Sequence, residues 1–103
     1  MRPLIAGLAV LLLPMPASAA PRTHVVVIDK MKFSPVPAAV RPGDTIIWVN
    51  KDMFRHSATA RNGSFNVDLP PNSRAKTVMR AKGAFAFYCK YHPAMTGVLK
   101  VGG

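Results

Sequence analysis

The sequence predicts an all-β protein, and three observations carry that reading. Strong helix formers are scarce: there is no Glu and no Gln, little Leu beyond the N-terminus, and ten Pro with seven Gly in 103 residues. From His24 onward the chain consists of short β-branched or aromatic runs bounded by turn residues, at the spacing of an antiparallel sandwich. Two of those runs alternate with a period of two: Ile46, Trp48 and Asn50 oppose Ile47, Val49 and Lys51, and Phe85 and Phe87 oppose Ala84, Ala86 and Tyr88. Each of the two is expected to turn one face to a core.

The first element is not expected to belong to that core. Residues 1–19 read as a secretory signal peptide, with Arg2, an apolar run from Leu4 to Leu13, and small residues at Ala17, Ser18 and Ala19. The run is too short to span a bilayer, which needs about 20 residues, and Pro14 and Pro16 follow it. Cleavage after Ala19 would leave residues 20–103 as one domain, with no later segment able to cross a membrane. Strands are then expected at His24–Asp29, Ala38–Arg41, Thr45–Asn50, Ser57–Arg61, Ala75–Arg80, Ala84–Cys89 and Gly97–Val101. The breaks between them hold Ser34-Pro35, Pro42-Gly43-Asp44, Asn62-Gly63, Pro70-Pro71-Asn72 and Lys82-Gly83, residues that preset or permit turn dihedrals. So small a sandwich lies near the lower size limit for a self-supporting core, and a bound ion would help to stabilise it. The lone Cys89 cannot form an intramolecular disulfide.

The chemistry is concentrated in Tyr88-Cys89-Lys90-Tyr91-His92-Pro93-Ala94-Met95, where a thiol, an imidazole and a thioether stand three residues apart between two expected strands. His56 follows the strand Thr45–Asn50 and heads another one, so strand pairing could bring it to the same end of the fold. Two His and a Cys thiolate with a distant axial Met is the donor set of a blue copper site: thiolate and thioether favour Cu(I), imidazoles suit Cu(II), and a compromise geometry serves both oxidation states.

These residues, with Phe33-Ser34-Pro35 and Arg41-Pro42-Gly43-Asp44-Thr45-Ile46-Ile47-Trp48-Val49-Asn50 before them, resemble a small cupredoxin over nearly the whole chain after residue 19. The short Cys-x-x-His-x-x-Met loop with Pro93 is most similar to the amicyanin type, plastocyanin-type members having a longer His–Met spacing. The resemblance implies a Greek-key β-sandwich that binds one copper ion through His56, Cys89, His92 and Met95. It also implies that His92 lies near the surface in an apolar patch, formed here by residues such as Met53, Phe54, Pro93 and Ala94, while His56 is more buried. The chain departs from the amicyanin pattern around the first ligand, with Arg55 and Ser57 in place of Pro and Asn.

The function expected on this reading is a periplasmic one-electron carrier cycling Cu(II)/Cu(I) between redox partner proteins. A periplasmic copper chaperone or store is the alternative, although such proteins favour clustered Met or His, and Met31, Met53 and Met79 are dispersed. An enzyme is not expected, because a Cys–His nucleophile pair needs an orienting carboxylate or amide and none adjoins Cys89. The formal net charge of +10, from 14 Lys and Arg against 4 Asp, excludes a predominantly acidic surface and favours partners with acidic docking surfaces. Nucleic acid is not an expected partner for an exported chain without a nucleic-acid-binding motif, and a monomer is the expected state. His24 lacks neighbouring ligands and is expected to be structural or exposed. Trp48, Phe33, Phe65, Phe85 and Phe87 are expected in the core.

Overall fold

A computed structural model describes Gly7, Leu13 and residues 20–102, so the expected signal peptide lies almost wholly outside the described residues. Eight strands follow in order: β1 (Thr23–Asp29), β2 (Lys32–Phe33), β3 (Thr45–Asn50), β4 (His56–Ala60), β5 (Asn66–Leu69), β6 (Arg74–Val78), β7 (Gly83–Tyr88) and β8 (Thr96–Val101). They form two four-stranded sheets, ordered β2-β1-β3-β6 and β5-β4-β7-β8, that face each other as a sandwich. Among the described residues no helix is long and apolar enough to cross a membrane.

The alternation seen in the sequence decides which side chains fill the sandwich. Val26, Ile28, Ile46, Trp48, Phe87 and Leu99 are fully buried, with Phe65 and Phe85 nearly so, while Ala84 and Ala86 on the other face of β7 are exposed. Trp48 and Phe87 meet edge to face at 5.2 Å, and Phe33 packs on Phe87 at 4.9 Å, so the aromatic residues form the centre of the core as expected. The indole N–H of Trp48 is satisfied by Thr77 Oγ1 at 3.1 Å.

Three features differ from the sequence expectation. β1 and β3 pair in parallel, from Thr23 opposite Thr45 to Ile28 opposite Asn50, although an antiparallel arrangement was expected throughout. Residues 34–44 carry the chain from edge strand β2 back to the start of β3, beside the start of β1, a path that a strand pattern alone does not specify. Ala38–Arg41 is not a strand: flanked by Pro37 and Pro42, it has a single parallel bridge, from Val40 to Val101 of β8 in the second sheet. β2 and β5 were not expected. β5 is an edge strand whose Asn and Asp lower its β-propensity, and only Leu69 is fully buried.

β2 exists because Lys30 and Met31 make a tight hairpin turn in which both residues have positive φ, 52° and 61°, as in a type I′ turn. Neither is Gly or Asn. The Asp52 carboxylate compensates by accepting the N–H of Lys30 at 2.8 Å and of Met31 at 3.0 Å.

The turn before β3 follows more ordinary rules. Asp44 N–H donates to Arg41 C=O at 3.0 Å with Pro42 and Gly43 between them, and Gly43 has φ 95°, the conformation that a type II turn demands at that position. The buried Asp44 carboxylate accepts the N–H of Arg22 at 2.8 Å, the His24 ring at 2.8 Å and the N–H of Arg41 at 3.0 Å, pinning the start of β1 to this turn. His24 is thus structural, as expected. The Arg22 N–H first, then the His24 ring and the Arg41 N–H, hold the Asp44 carboxyl at about 2, below its ordinary 3.8. A carboxyl whose pKa is lower folded than unfolded adds stability above its unfolded value, and that contribution is lost as pH falls toward the folded value. Denaturant unfolding of the metal-free protein is therefore expected to show a falling midpoint between about pH 4 and 2. Asp44→Asn should flatten that limb; an unchanged pH profile in this variant would contradict the assignment.

A second expectation concerns Gly97, which lies opposite Phe87 across the β7–β8 pair. A Cβ at Gly97 would stand 2.9 Å from both Cε1 and Cε2 of the Phe87 ring. That ring is itself packed against Trp48 and Phe33. Gly97→Ala is expected to destabilise the fold by about 1–3 kcal/mol, as overpacking does. A thermal midpoint within a degree of the parent would show that the ring yields.

Candidate metal centre

Two loops at one end of the sandwich converge. The first joins β3 to β4 and is organised by Asn50, a polar side chain on the inward face of an otherwise apolar strand, 1% exposed. Its amide Nδ2 donates to Phe54 C=O at 2.8 Å and Leu69 C=O at 3.0 Å, and its Oδ1 accepts the Asp52 N–H at 2.9 Å. The loop is thereby fixed to β5 and delivers His56, fully buried, at the first position of β4.

The second loop joins β7 to β8 and closes on itself. Cys89 N–H donates to Met95 C=O at 3.1 Å, Met95 N–H to His92 C=O at 2.9 Å and His92 N–H to Cys89 C=O at 3.3 Å. The spacing of three and three is what allows these turns to nest, so that Cys89 and Met95 both end buried, at 0% and 6% exposure. His92 remains half-buried at the rim.

Cys89 Sγ lies 3.6 Å from His56 Nδ1. That is within hydrogen-bonding reach for a sulfur partner, and it is also the separation of two ligands on one metal when bonds are about 2.0 Å to nitrogen and about 2.3 Å to sulfur. The His92 ring packs against that of His56 at 5.0 Å between centroids and 61° between planes. Among the described residues no three His, Cys, Asp or Glu side chains are drawn to a common metal-binding point. The close pair is His56 with Cys89; His92 and Met95 stand beside it on the same loop. The donor set fits a soft to borderline ion: a thiolate, imidazoles and a thioether, without a carboxylate among them.

Of the groups behind the ligands, Ser57 was singled out in the sequence only as a departure from the amicyanin pattern, and Asp52 not at all. Asp52 Oδ2 is 2.8 Å from His56 Nε2. Burial pushes the Asp52 carboxyl up, but the Met31 N–H, the His56 ring and the Lys30 N–H outweigh it and hold the group below the ordinary carboxylate range. An ionised Asp52 can only accept, so His56 Nε2 is the donor of this bond, and Nδ1 is the ring nitrogen that faces Cys89. Ser57 supplies the other support: its N–H donates to Cys89 Sγ at 3.3 Å and its Oγ accepts the Lys90 N–H at 2.8 Å. Ser57 thus ties β4 directly to the ligand loop at the position where the sequence departs from the amicyanin pattern. The inward place of Asn50 and the i, i+4 relation of Asp52 to His56 were the sequence signals that could have revealed the first loop.

A β-sandwich with an imidazole and a thiol buried side by side between two loops at one end is the class of protein that the fold and the site define. The chain belongs to the cupredoxin family: the family model of the cupredoxin-like domain matches residues 3–101. It is 28% identical to amicyanin of Paracoccus versutus, the match covering 82% of this chain and 69% of that protein. It is 33% identical to plastocyanin of Nostoc punctiforme over 71% of this chain and 66% of that protein. Among solved structures, a purple cupredoxin from Nitrosopumilus maritimus superposes with a TM-score of 0.67 at 24% identity, covering 77% of this chain and 99% of the other, which supports the fold.

Proposed function

We propose that the protein is a periplasmic one-electron carrier that holds one copper ion in a type 1 site through His56, Cys89, His92 and Met95. The observation that carries this reading is the buried 3.6 Å approach of Cys89 Sγ to His56 Nδ1, with Asp52 fixing the imidazole so that its other nitrogen faces the sulfur. Bound copper would supply the Cu(II)/Cu(I) couple. The chain's own part is to keep the donors still. Asn50, Asp52 and Ser57 brace the His56 loop against β5, the β1–β2 turn and the ligand loop, so the donors have little freedom to rearrange when charge changes. The burial of Cys89 beneath its loop, with its sulfur already accepting the Ser57 N–H, favours a metal ligand over a nucleophile that must reach a substrate. The same enclosure favours retention of copper over delivery.

His92 offers the exit for an electron. It sits at the rim beside exposed Phe54, at 6.3 Å between rings, with Met53, Tyr91, Pro93 and Ala94 also exposed. Lys30, Lys32, Lys51 and Lys90 are exposed on the segments around this apolar surface, while the nearby Asp68 is engaged by Arg55 at 2.7 Å. An apolar centre ringed by ammonium groups suits redox partners with acidic docking surfaces, and their association should weaken as salt screens the charges. The export step rests on the signal-like residues 1–19.

The test is the optical and EPR spectrum after addition of one equivalent of Cu(II). An intense visible band with narrow copper hyperfine splitting is the expected result for a copper–thiolate site. A colourless complex would remove Cys89 from the ligand set and overturn the carrier reading.

A further inference from the structure

The outward face of the first sheet is apolar where a small charged protein has no internal need for it to be. A strand covered on both faces reads as a continuous apolar run, as in all-parallel sheets. β1 and β3 read in that way, as Val25-Val26-Val27-Ile28 and Ile46-Ile47-Trp48-Val49. One face of each lies in the core: Val26, Ile28, Ile46 and Trp48 are fully buried. The alternate residues point outward, and the register sets Val25 beside Ile47 and Val27 beside Val49, a four-residue block of branched aliphatic side chains. Val25 is 51% exposed, and Val27, Ile47 and Val49 are half-buried with their outer edges open.

The β6 border of this block is positively charged. On edge strand β6, Lys76 stands opposite Ile47 and Arg74 opposite Val49, and both are exposed. No carboxylate stands opposite them in the register; Asp29, the outward residue of β1 next after Val27, is opposite Lys32 on β2. A second copy of the chain would bring the same two cations and the same excess of positive charge to the contact. A lipid surface is matched less well, since the face offers no aromatic side chain of the kind that anchors at headgroup depth.

We propose that this face of the β2-β1-β3-β6 sheet docks an acidic protein partner, whose apolar strip covers Val25, Val27, Ile47 and Val49 while carboxylates along its edge meet Arg74 and Lys76. The surface is distinct from the one around His92 and involves none of the metal ligands, so it stands whether or not copper binds. Hydrophobic cover supplies the affinity, and the positive β6 border sets the orientation of approach.

The experiment is amide-shift mapping of the isotopically labelled protein, metal-free and with Cu(I), against a random Glu/Tyr copolymer as an acidic, partly apolar probe. Polyglutamate serves as the purely charged reference. Shifts centred on β1, β3 and β6 are expected, with at least fivefold weaker binding of the copolymer to Ile47→Ser and to Lys76→Glu, and weaker binding of polyglutamate to the parent. Both side chains point outward, so the variants should keep the parent's spectral dispersion; Lys76→Gln replaces any that does not. Shifts centred on the lysines around His92, or variants that bind as tightly as the parent, would overturn the proposal. So would dimerisation through these amides with rising protein concentration, or their response to phosphatidylglycerol vesicles, which would assign the face to a second copy or to lipid.

Discussion

Replacing Cys89 by alanine is expected to abolish the intense visible absorption of the copper(II)-loaded protein entirely. The thiolate is the only anionic donor of the four candidates and the only one whose bond to copper gives strong visible colour; imidazoles and a thioether alone leave a weakly absorbing complex. The effect should not arise from unfolding. Cys89 is a small buried side chain, so its truncation removes one sulfur from the core and leaves the Ser57 N–H without its acceptor, a loss of about 1–3 kcal/mol. Retained far-ultraviolet circular dichroism with a lost visible band is therefore the expected pair of observations. A band of undiminished intensity in a folded variant would exclude Cys89 as a ligand.

Removal of Asp52 should produce the second large effect, at a residue that touches no metal. Its carboxylate holds three groups: His56 Nε2, and the N–H of Lys30 and Met31 in the left-handed turn. Asp52→Ala frees the imidazole to rotate or to change tautomer, and it withdraws the compensation for two positive-φ residues. Loss of such an outer partner weakens metal affinity by about 10–100-fold. Competition with a chelator of known affinity measures it. Asp52→Asn keeps an acceptor oxygen but not the charge, and should fall between parent and Ala. Equal copper affinity in all three proteins would show that the ligand loops alone set the His56 orientation.

The extent to which these features could be read from the sequence differs from element to element. β3 was legible to its last residue because Ile46, Trp48 and Asn50 alternate strictly with Ile47 and Val49, and because Pro42-Gly43 punctuates its start. β7 was legible for a similar reason, and β8 as a short β-branched run after the ligand loop, each to within a residue at either end. The ligand motif was legible because Cys89, His92 and Met95 are local, and a three-residue spacing carries its own turn geometry. β5 was not, since its two inward residues are separated by Asp68 and flanked by Asn66, and an edge position rather than propensity makes it a strand. Nor was the β1–β2 hairpin, whose turn residues Lys30 and Met31 have no intrinsic preference for positive φ.

The sequence by itself determined the all-β class, the core face of each alternating strand, and a thiolate, imidazole and thioether gathered in one short loop. These follow from period-two burial and local spacing, which act within a few residues. Only the tertiary structure decided that β1 lies parallel to β3, that His56 comes within 3.6 Å of Cys89 from 33 residues away, and that one carboxylate serves both the His56 ring and the Lys30–Met31 turn. Such placements depend on which strands become neighbours, and that is settled by the joint packing of two sheets around Trp48 and Phe87 rather than by any segment alone.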